Sequence, residues 1–276
     1  MPPSVMGFLN SVKKRIRMIP RGFTGVGKFR IFVWSLFDSI PRSVGRAFPA
    51  VEGPLELIQG RLLRSTKLNI NGSIFTPLDS DSVFILSPEY EGWMWSHLHL
   101  RKGDVFVDVG AHIGKYTVQL AKVVGDKGLV VAIEPHPENY RILQENIRLN
   151  ALKNVIALNL AAWSCEGRLR LFIGDRRDHH SLKRDFGRGS IVVKATALDN
   201  VLSGLKLEKI DWIKIDVEGA ELEVLKGLQD TLKRYRPAMI VEIKEGQGEI
   251  EDFMGKLGYT MKNIAPEYFL LRPDKS

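Results

Sequence analysis

The sequence predicts an α/β protein built on a mostly parallel sheet with helices on both faces, and three observations carry that reading. From residue 104 onward, short runs rich in Val, Ile and Leu alternate with segments whose apolar side chains recur at helical spacing. That is the pattern of strands buried on both faces and joined by crossover helices. The first run leads directly into a glycine turn, Asp108-Val-Gly-Ala-His-Ile-Gly114, and open α/β sheets place their ligands where such strands end. The 276 residues are 44% apolar and 26% charged, which supplies a full core and leaves out a disordered chain, a collagen-like repeat or a coiled coil.

The chain opens on a basic, partly apolar arm, residues 1–50. It holds nine Lys or Arg against one acid, Asp38; of the 40 basic and 32 acidic residues this leaves 31 of each elsewhere, so the net charge of +8 belongs to the arm. A neutral body argues against a broad nucleic-acid platform. Residues 5–19 surround the basic run Lys13, Lys14, Arg15 and Arg17 with apolar side chains, and 29–40 read Phe-Arg-Ile-Phe-Val-Trp-Ser-Leu-Phe-Asp-Ser-Ile before Pro41. Neither approaches the ~20 apolar residues that cross a bilayer. Cations beside Phe32, Trp34 and Phe37 suit an interfacial helix, and packing against the body or a partner suits them too. Peripheral membrane contact through residues 1–46 is one expectation for the arm. Gly22 to Lys28 matches a nucleotide-binding GxxxxGK, but Phe29 stands where Ser or Thr is needed and no apolar strand precedes it; the match is coincidental.

Residues 51–100 read as an N-terminal cap or substrate-side region. Extended pieces are expected around Leu68 to Phe75, with Asn71-Gly72 as a turn, and at Val83 to Leu86; an aromatic-rich helix is expected from Glu89 to Leu98. Residues 101–276 are expected to form the main, ligand-binding domain. Its strands are expected at Val105–Val109, Leu129–Ile133, Val155–Leu160, Ile210–Ile215 and Ala238–Ile243, and its helices at Tyr116–Val124, Pro137–Leu149, Glu221–Leu228 and Ile250–Leu257. In Pro137–Leu149 the spacing of Tyr140, Leu143 and Ile147 defines one helix face. Gly167–Ile173 and Ser190–Ala195 read as a hairpin that interrupts the alternation, and Tyr259–Ile264 with Tyr268–Leu271 as a terminal one.

Chemistry concentrates at three strand ends. Asp108 closes the first strand, and Gly110 and Gly114 permit a tight turn against a ligand. Glu134, twenty-six residues later and followed by Pro135, closes the next, where a carboxylate accepts ribose hydroxyls. Ala111, His112 and Ile113 separate the glycines, so the dinucleotide pattern GxGxxG is absent, and Asp108 would repel a diphosphate. A cationic or zwitterionic nucleoside, S-adenosylmethionine rather than NAD, fits better. The third end is Trp212-Ile-Lys-Ile-Asp-Val-Glu-Gly-Ala-Glu221. Lys214 and Asp216 share a face at two-residue spacing, and a charge inside a parallel sheet is paired or functional. Glu221 reads as a cap for the following helix.

These segments together resemble the FkbM-type S-adenosylmethionine-dependent methyltransferases. The resemblance rests on Asp108-Val-Gly-Ala-His-Ile-Gly, on Ile133-Glu-Pro-His-Pro-Glu-Asn with Asn146 and Asn150 following, on Thr196-Ala-Leu-Asp-Asn, and on Lys214-Ile-Asp-Val-Glu-Gly-Ala-Glu. His112 replaces the family's usual Asn, and Asn200 its second Asp. The resemblance implies a Rossmann-like seven-stranded methyltransferase fold and methyl transfer to a hydroxyl of a sugar, glycolipid or small metabolite. On that reading Asp108, Gly110, Ala111, His112, Gly114, Tyr116, Glu134, Pro135 and His136 bind the cofactor, while Asp216, Glu218, Lys214 and Glu242 serve the reacting centre, a carboxylate acting as general base. A divalent metal is chemically reasonable there but the sequence does not demand one. The expected partner is a small-molecule or glycan acceptor. The single cysteine, Cys165, cannot form an internal disulfide or a thiolate zinc cage, which fits a cytoplasmic protein, with or without peripheral membrane contact. The rival readings are an RNA methyltransferase and a non-catalytic membrane-associated scaffold on the same fold.

Overall fold

The computed structural model describes residues 18, 21–22, 24–38 (backbone only for 36–38), 62–63, 65–174 and 180–274. The basic run Lys13 to Arg17 and the side chain of Phe37 lie outside the described residues. These residues divide into two compact units, one within Met1–His97 and Arg148–Asn150, the other within Leu98–Ile147 and Ala151–Ser276.

The first described helix of the first unit is α1, Gly25–Asp38. Thr24 Oγ1 accepts the Gly27 N–H at 3.0 Å, so the GxxxxGK stretch is a capped helix start. Ile31 and Trp34 are wholly buried, and the Trp34 indole donates to Ser80 Oγ at 2.9 Å. Strands β1, Leu68–Ile70, and β2, Ser73–Phe75, pair antiparallel. Asn71 and Gly72 join them with φ of 51° and 77°, the two left-handed positions of a tight hairpin turn. Val83 to Leu86 is not extended. It falls at the end of helix α2, Ser80–Ile85, where Asp79 accepts the Ser82 N–H and Ser82 accepts the Asp79 N–H. This reciprocal cap fixes the helix against the β preference of its β-branched residues. The expected aromatic helix shrinks to a 3₁₀ turn, Gly92–Ser96, behind Glu91 at φ 51°.

The second unit carries a seven-stranded sheet in the order β11-β12-β10-β9-β3-β4-β5. Its strands are β3 Val105–Val109, β4 Leu129–Ile133, β5 Val155–Leu158, β9 Trp212–Ile215, β10 Ala238–Glu242, β11 Tyr259–Ala265 and β12 Tyr268–Pro273. Neighbours from β5 to β10 pair parallel, whereas β12 runs antiparallel to both β10 and β11. The sheet is therefore mixed rather than mostly parallel. A hairpin entering at the edge reverses one strand, and local alternation of apolar residues carries no information about strand direction.

Helices cover both faces. Val131 and Ile133 point toward α5 Leu198–Gly204, α6 Glu221–Lys226, α7 Gln229–Tyr235 and α8 Gln247–Lys256, sharing one core with Leu202, Leu225, Leu232 and Met254. Ala132 points the other way, toward Leu143 of α4, Pro137–Leu149. On that same face α3, Lys115–Val124, meets β3 through Thr117. A small sheet, β6 Ala161–Ala162, β8 Ser190–Thr196 and β7 Gly167–Phe172, lies between β5 and β9 in the chain; its β7–β8 pair is the anticipated hairpin. Helices α5 and α7 were not anticipated. The Asp199 carboxylate accepts the Asp230 and Thr231 N–H groups at 2.9 and 2.8 Å, so the acid of Leu-Asp-Asn caps α7.

Strand β3 pairs with β4, which follows it in the chain, on one side and with β9 on the other. The order reverses there, and such a switch point opens the ligand crevice at the carboxyl ends of the strands. Positive φ values gather at these ends: Gly110, His112 and Gly114 after β3, Glu218 and Gly219 after β9, Gly246 after β10.

Candidate functional site

The loop after β3 is held tightly by its neighbours. Gly110 and Ala111 N–H both donate to Ile133 O, and Asp216 N–H donates to Val109 O. A Cβ on Gly110 would lie 1.8 Å from Asp216 O, and one on Gly114 would lie 2.6 Å from Leu143 Cδ1. Gly110 is thus required by packing against backbone as well as by its φ of 81°, whereas Gly114, which meets only the end of the Leu143 side chain, is required by its φ of 91°. Asn146, wholly buried, donates to Ile113 O at 2.8 Å and secures the loop from α4. His112 sits at φ 51°, a conformation that Asn and His tolerate better than most residues.

Glu134 clamps this loop. Its Oε2 accepts His112 N–H at 2.8 Å and its Oε1 accepts His136 N–H at 2.9 Å. Burial raises its carboxyl to about 7 in spite of these donors. The Asn139 amide also donates to Oε1 at 3.4 Å; a carboxylate offers about four lone-pair sites, so about one stays open to a further hydroxyl donor. Asn159, a residue sequence reasoning missed, donates to Glu134 O and Pro135 O at 2.8 and 3.0 Å and fixes the chain beyond β4. The His136 ring stacks on His180, centroids 4.2 Å apart.

Asp108 and Lys214 are in-register neighbours on β3 and β9, 1% and 2% exposed. Asp108 Oδ2 accepts the Thr117 hydroxyl at 2.6 Å, while Oδ1 is buried with no hydrogen-bond partner. Burial raises the Asp108 carboxyl, and Lys214 only partly offsets this. Lys214 Nζ reaches Asp216 Oδ2 at 2.8 Å and lies 5.2 Å from the centre of the Tyr116 ring, a cation–π distance.

The acid cluster lies beyond Lys214. One oxygen each from Asp216, Glu218 and Glu242 falls within a 4.8 Å group. Lys244, absent from the sequence-based candidates, binds Glu218 Oε2 at 2.5 Å and Glu242 Oε2 at 3.1 Å. Burial works against the Asp216 anion, but Lys214, a hydrogen bond from Glu242 and Lys244 together hold its carboxyl below the ordinary range. Burial and the Asp216 charge push Glu242 the opposite way, well above that range. The two acids share a hydrogen bond in which Asp216 favours the anion and Glu242 the protonated form. A divalent cation on these three acids would have to displace Lys244 from two of them.

Two further groups face the cluster. His112 Nε2 is buried without a hydrogen-bond partner, and burial, reinforced by His180, lowers its imidazole to about 3, so the ring is neutral. Ser181 donates to Glu218 O at 2.7 Å, bringing the chain between β7 and β8 to the site. Glu221, the first residue of α6, accepts Gly219 N–H on its Oε1 at 2.8 Å, so its carboxylate ties down the loop ahead of the helix, whose N-cap Ala220 supplies no side-chain cap.

The groups present fit S-adenosylmethionine. Glu134 offers an acceptor to a ribose hydroxyl, and the unpartnered Asp108 Oδ1 offers one to a cationic group. The structure thus gathers Asp108, His112, Glu134, Lys214, Asp216, Glu218 and Glu242 around adjoining strand ends, with Ala111 and Pro135 contributing backbone and Tyr116 a buried ring.

Residues 108–261 match the family described as Methyltransferase FkbM domain. Methyltransferase sdnD of Sordaria araneosa is 26% identical over 68% of this chain and 86% of its own length. Hexuronic acid methyltransferase AglP of Haloferax volcanii is 33% identical over 53% of this chain and 58% of its own. A crystal structure of Methyltransferase FkbM from Methylobacillus flagellatus KT aligns with 97% of this chain and 60% of that one, at 14% identity and a TM-score of 0.47. The matched region thus spans less than two thirds of two of these three proteins.

Proposed function

We propose, from the premise that the chain belongs to the FkbM methyltransferase family and is an S-adenosylmethionine-dependent methyltransferase, that it methylates a hydroxyl of a sugar, glycolipid or small metabolite. An acidic sugar is the best-supported member of that class. The observation that carries the reading is the ionised Asp216, paired with buried Lys214 where β9 adjoins the Asp108–Gly114 loop. Two further observations favour an acidic sugar. The relative AglP is described as a hexuronic acid methyltransferase, and exposed Lys183 and Arg184 donate their backbone N–H groups to Ser181 Oγ, whose hydroxyl donates to Glu218 O.

S-adenosylmethionine supplies an electrophilic methyl group. Glu134 would hold the ribose and Asp108, with the backbone of the Gly110–Gly114 turn, the remainder of the cofactor. The acceptor oxygen would bond to the methyl carbon as the methyl–sulfur bond breaks and S-adenosylhomocysteine leaves, and Asp216 would take the departing hydroxyl proton. Lys214 keeps Asp216 ionised beforehand, and protonated Glu242 steadies it through a hydrogen bond. Glu218, held by Lys244, would orient the acceptor. Fixing the two reactants in line supplies much of the rate.

Incubating the protein with methyl-labelled S-adenosylmethionine and a panel of uronic acid oligosaccharides, neutral sugars, glycolipids, hydroxylated small metabolites and small RNAs tests the reading. Label in any sugar, glycolipid or metabolite fraction supports it, and label in the uronic acids supports its acidic member; label confined to RNA overturns it in favour of the rival enzyme, and label in none of them with cofactor bound favours the scaffold.

A further inference from the structure

Helix α1 has two apolar faces, and no described residue covers one of them. At 3.6 residues per turn, Ile31, Trp34 and Ser35 fall together and all are buried. The opposite side carries Val26, Phe29 and Phe32, which are 61%, 65% and 44% exposed. Only five large apolar side chains stand exposed among the described residues, and three share this face. Lys28 lies on one flank of the stripe and Arg30 on the other, where its guanidinium also donates to Ser65 O. Apolar rings flanked by cations on both sides match the depth profile of a headgroup layer, with rings below and charges at the phosphates.

Charge selects the occupant. The first fifty residues hold nine Lys or Arg against Asp38 alone. A second copy docked on this face would set Lys28 and Arg30 against the same cations of its partner, whereas an anionic surface attracts each at about 1 kcal/mol near the membrane. Among the described residues no helix is long and apolar enough to cross a bilayer, so the contact lies at the surface. From this we infer that the Val26–Phe29–Phe32 face of α1 docks the protein on an anionic lipid bilayer. The inference is independent of the acceptor, because docking is read without turnover.

Flotation of the full chain with phosphatidylcholine vesicles, with and without phosphatidylserine, tests it. The parent protein should float with the anionic vesicles, little with the neutral ones, and less as salt shortens the range of the attraction. The double variant Phe29→Ser/Phe32→Ser should lose about tenfold or more of that binding, with thermal stability and S-adenosylmethionine affinity unchanged. Should that variant fold poorly, Lys28→Glu on the exposed flank should lower binding to anionic vesicles alone. Absence of parent binding to anionic vesicles, or equal binding by folded variant and parent, overturns the inference. So does a parent dimer in sedimentation velocity that Phe29→Ser/Phe32→Ser dissociates, since the face would then belong to a second copy.

Discussion

Replacing Glu134 separates two jobs that one carboxylate performs. Its oxygens accept the His112 and His136 N–H groups, and under the proposed reading also a ribose hydroxyl. Glu134→Ala strips acceptors from two backbone donors at a site only 5% exposed. At about 1–3 kcal/mol for each buried group left unpaired, the variant should lose about 2–6 kcal/mol of stability. Glu134→Gln keeps one accepting oxygen and the side-chain volume, so it should lose about half as much. With one charge-assisted contact to ribose weakened by about 1.5–3 kcal/mol, S-adenosylmethionine should bind about tenfold to a hundredfold more weakly. The same carboxyl makes stability pH-dependent. Burial lifts it from an ordinary 4.5 to about 7, so its contribution is fully present below about pH 4.5 and is lost as pH rises through about 7, a span of about 3 kcal/mol. Binding to the ionised form runs the other way, and affinity for the cofactor should improve across the same interval. Thermal melts and calorimetry on folded protein check both jobs. Unchanged affinity in Glu134→Gln would refute the ribose role, and an unchanged melting temperature in Glu134→Ala would refute the clamp.

The Lys214→Met variant removes the ammonium between Asp108 and Asp216; breaking a buried pair this way should cost about 3–5 kcal/mol, and the transfer rate should acquire an acid limb at higher pH than in the parent, as a pH–rate profile will show. Gly110→Ala drives a Cβ into the Asp216 carbonyl, whereas Gly114→Ala meets only the end of the Leu143 side chain. Both adopt a left-handed backbone costing about 1–2 kcal/mol for other residues, so chemical denaturation should find Gly110→Ala the more damaging of the two; the reverse order contradicts the packing account.

Periodicity made much of this fold legible. Helix α4 falls at Pro137–Leu149 as expected because Tyr140, Leu143 and Ile147 repeat against one sheet face. The terminal hairpin was equally readable, but its antiparallel entry beside β10 was not, since direction is set by tertiary docking. Val83 misled because β-branched residues favour strands, while the deciding signal was the Asp79–Ser82 cap. Helix α7 starts where Asp199, distant in sequence, satisfies its first N–H groups. Within the site, Asp108, Glu134, Lys214 and Asp216 were visible as charges at the ends of apolar runs. Lys244 escaped because its relation to Glu218 exists only once β9 and β10 pair. Spacing alone also hid that buried Glu242 is pushed above the ordinary carboxylate range while its neighbour Asp216 is held below it, a consequence of two adjacent acids sharing one hydrogen bond.

Single-turnover methyl transfer by Asp216→Asn, at saturating S-adenosylmethionine and on the acceptor found by labelling, tests the central claim most directly. Asparagine keeps the volume and one accepting oxygen but cannot take a proton at neutral pH. The account predicts a fall of about 100-fold or more, equivalent to about 2.7 kcal/mol in the barrier, with cofactor affinity nearly unchanged. Transfer at the parent rate by a folded Asp216→Asn protein contradicts it.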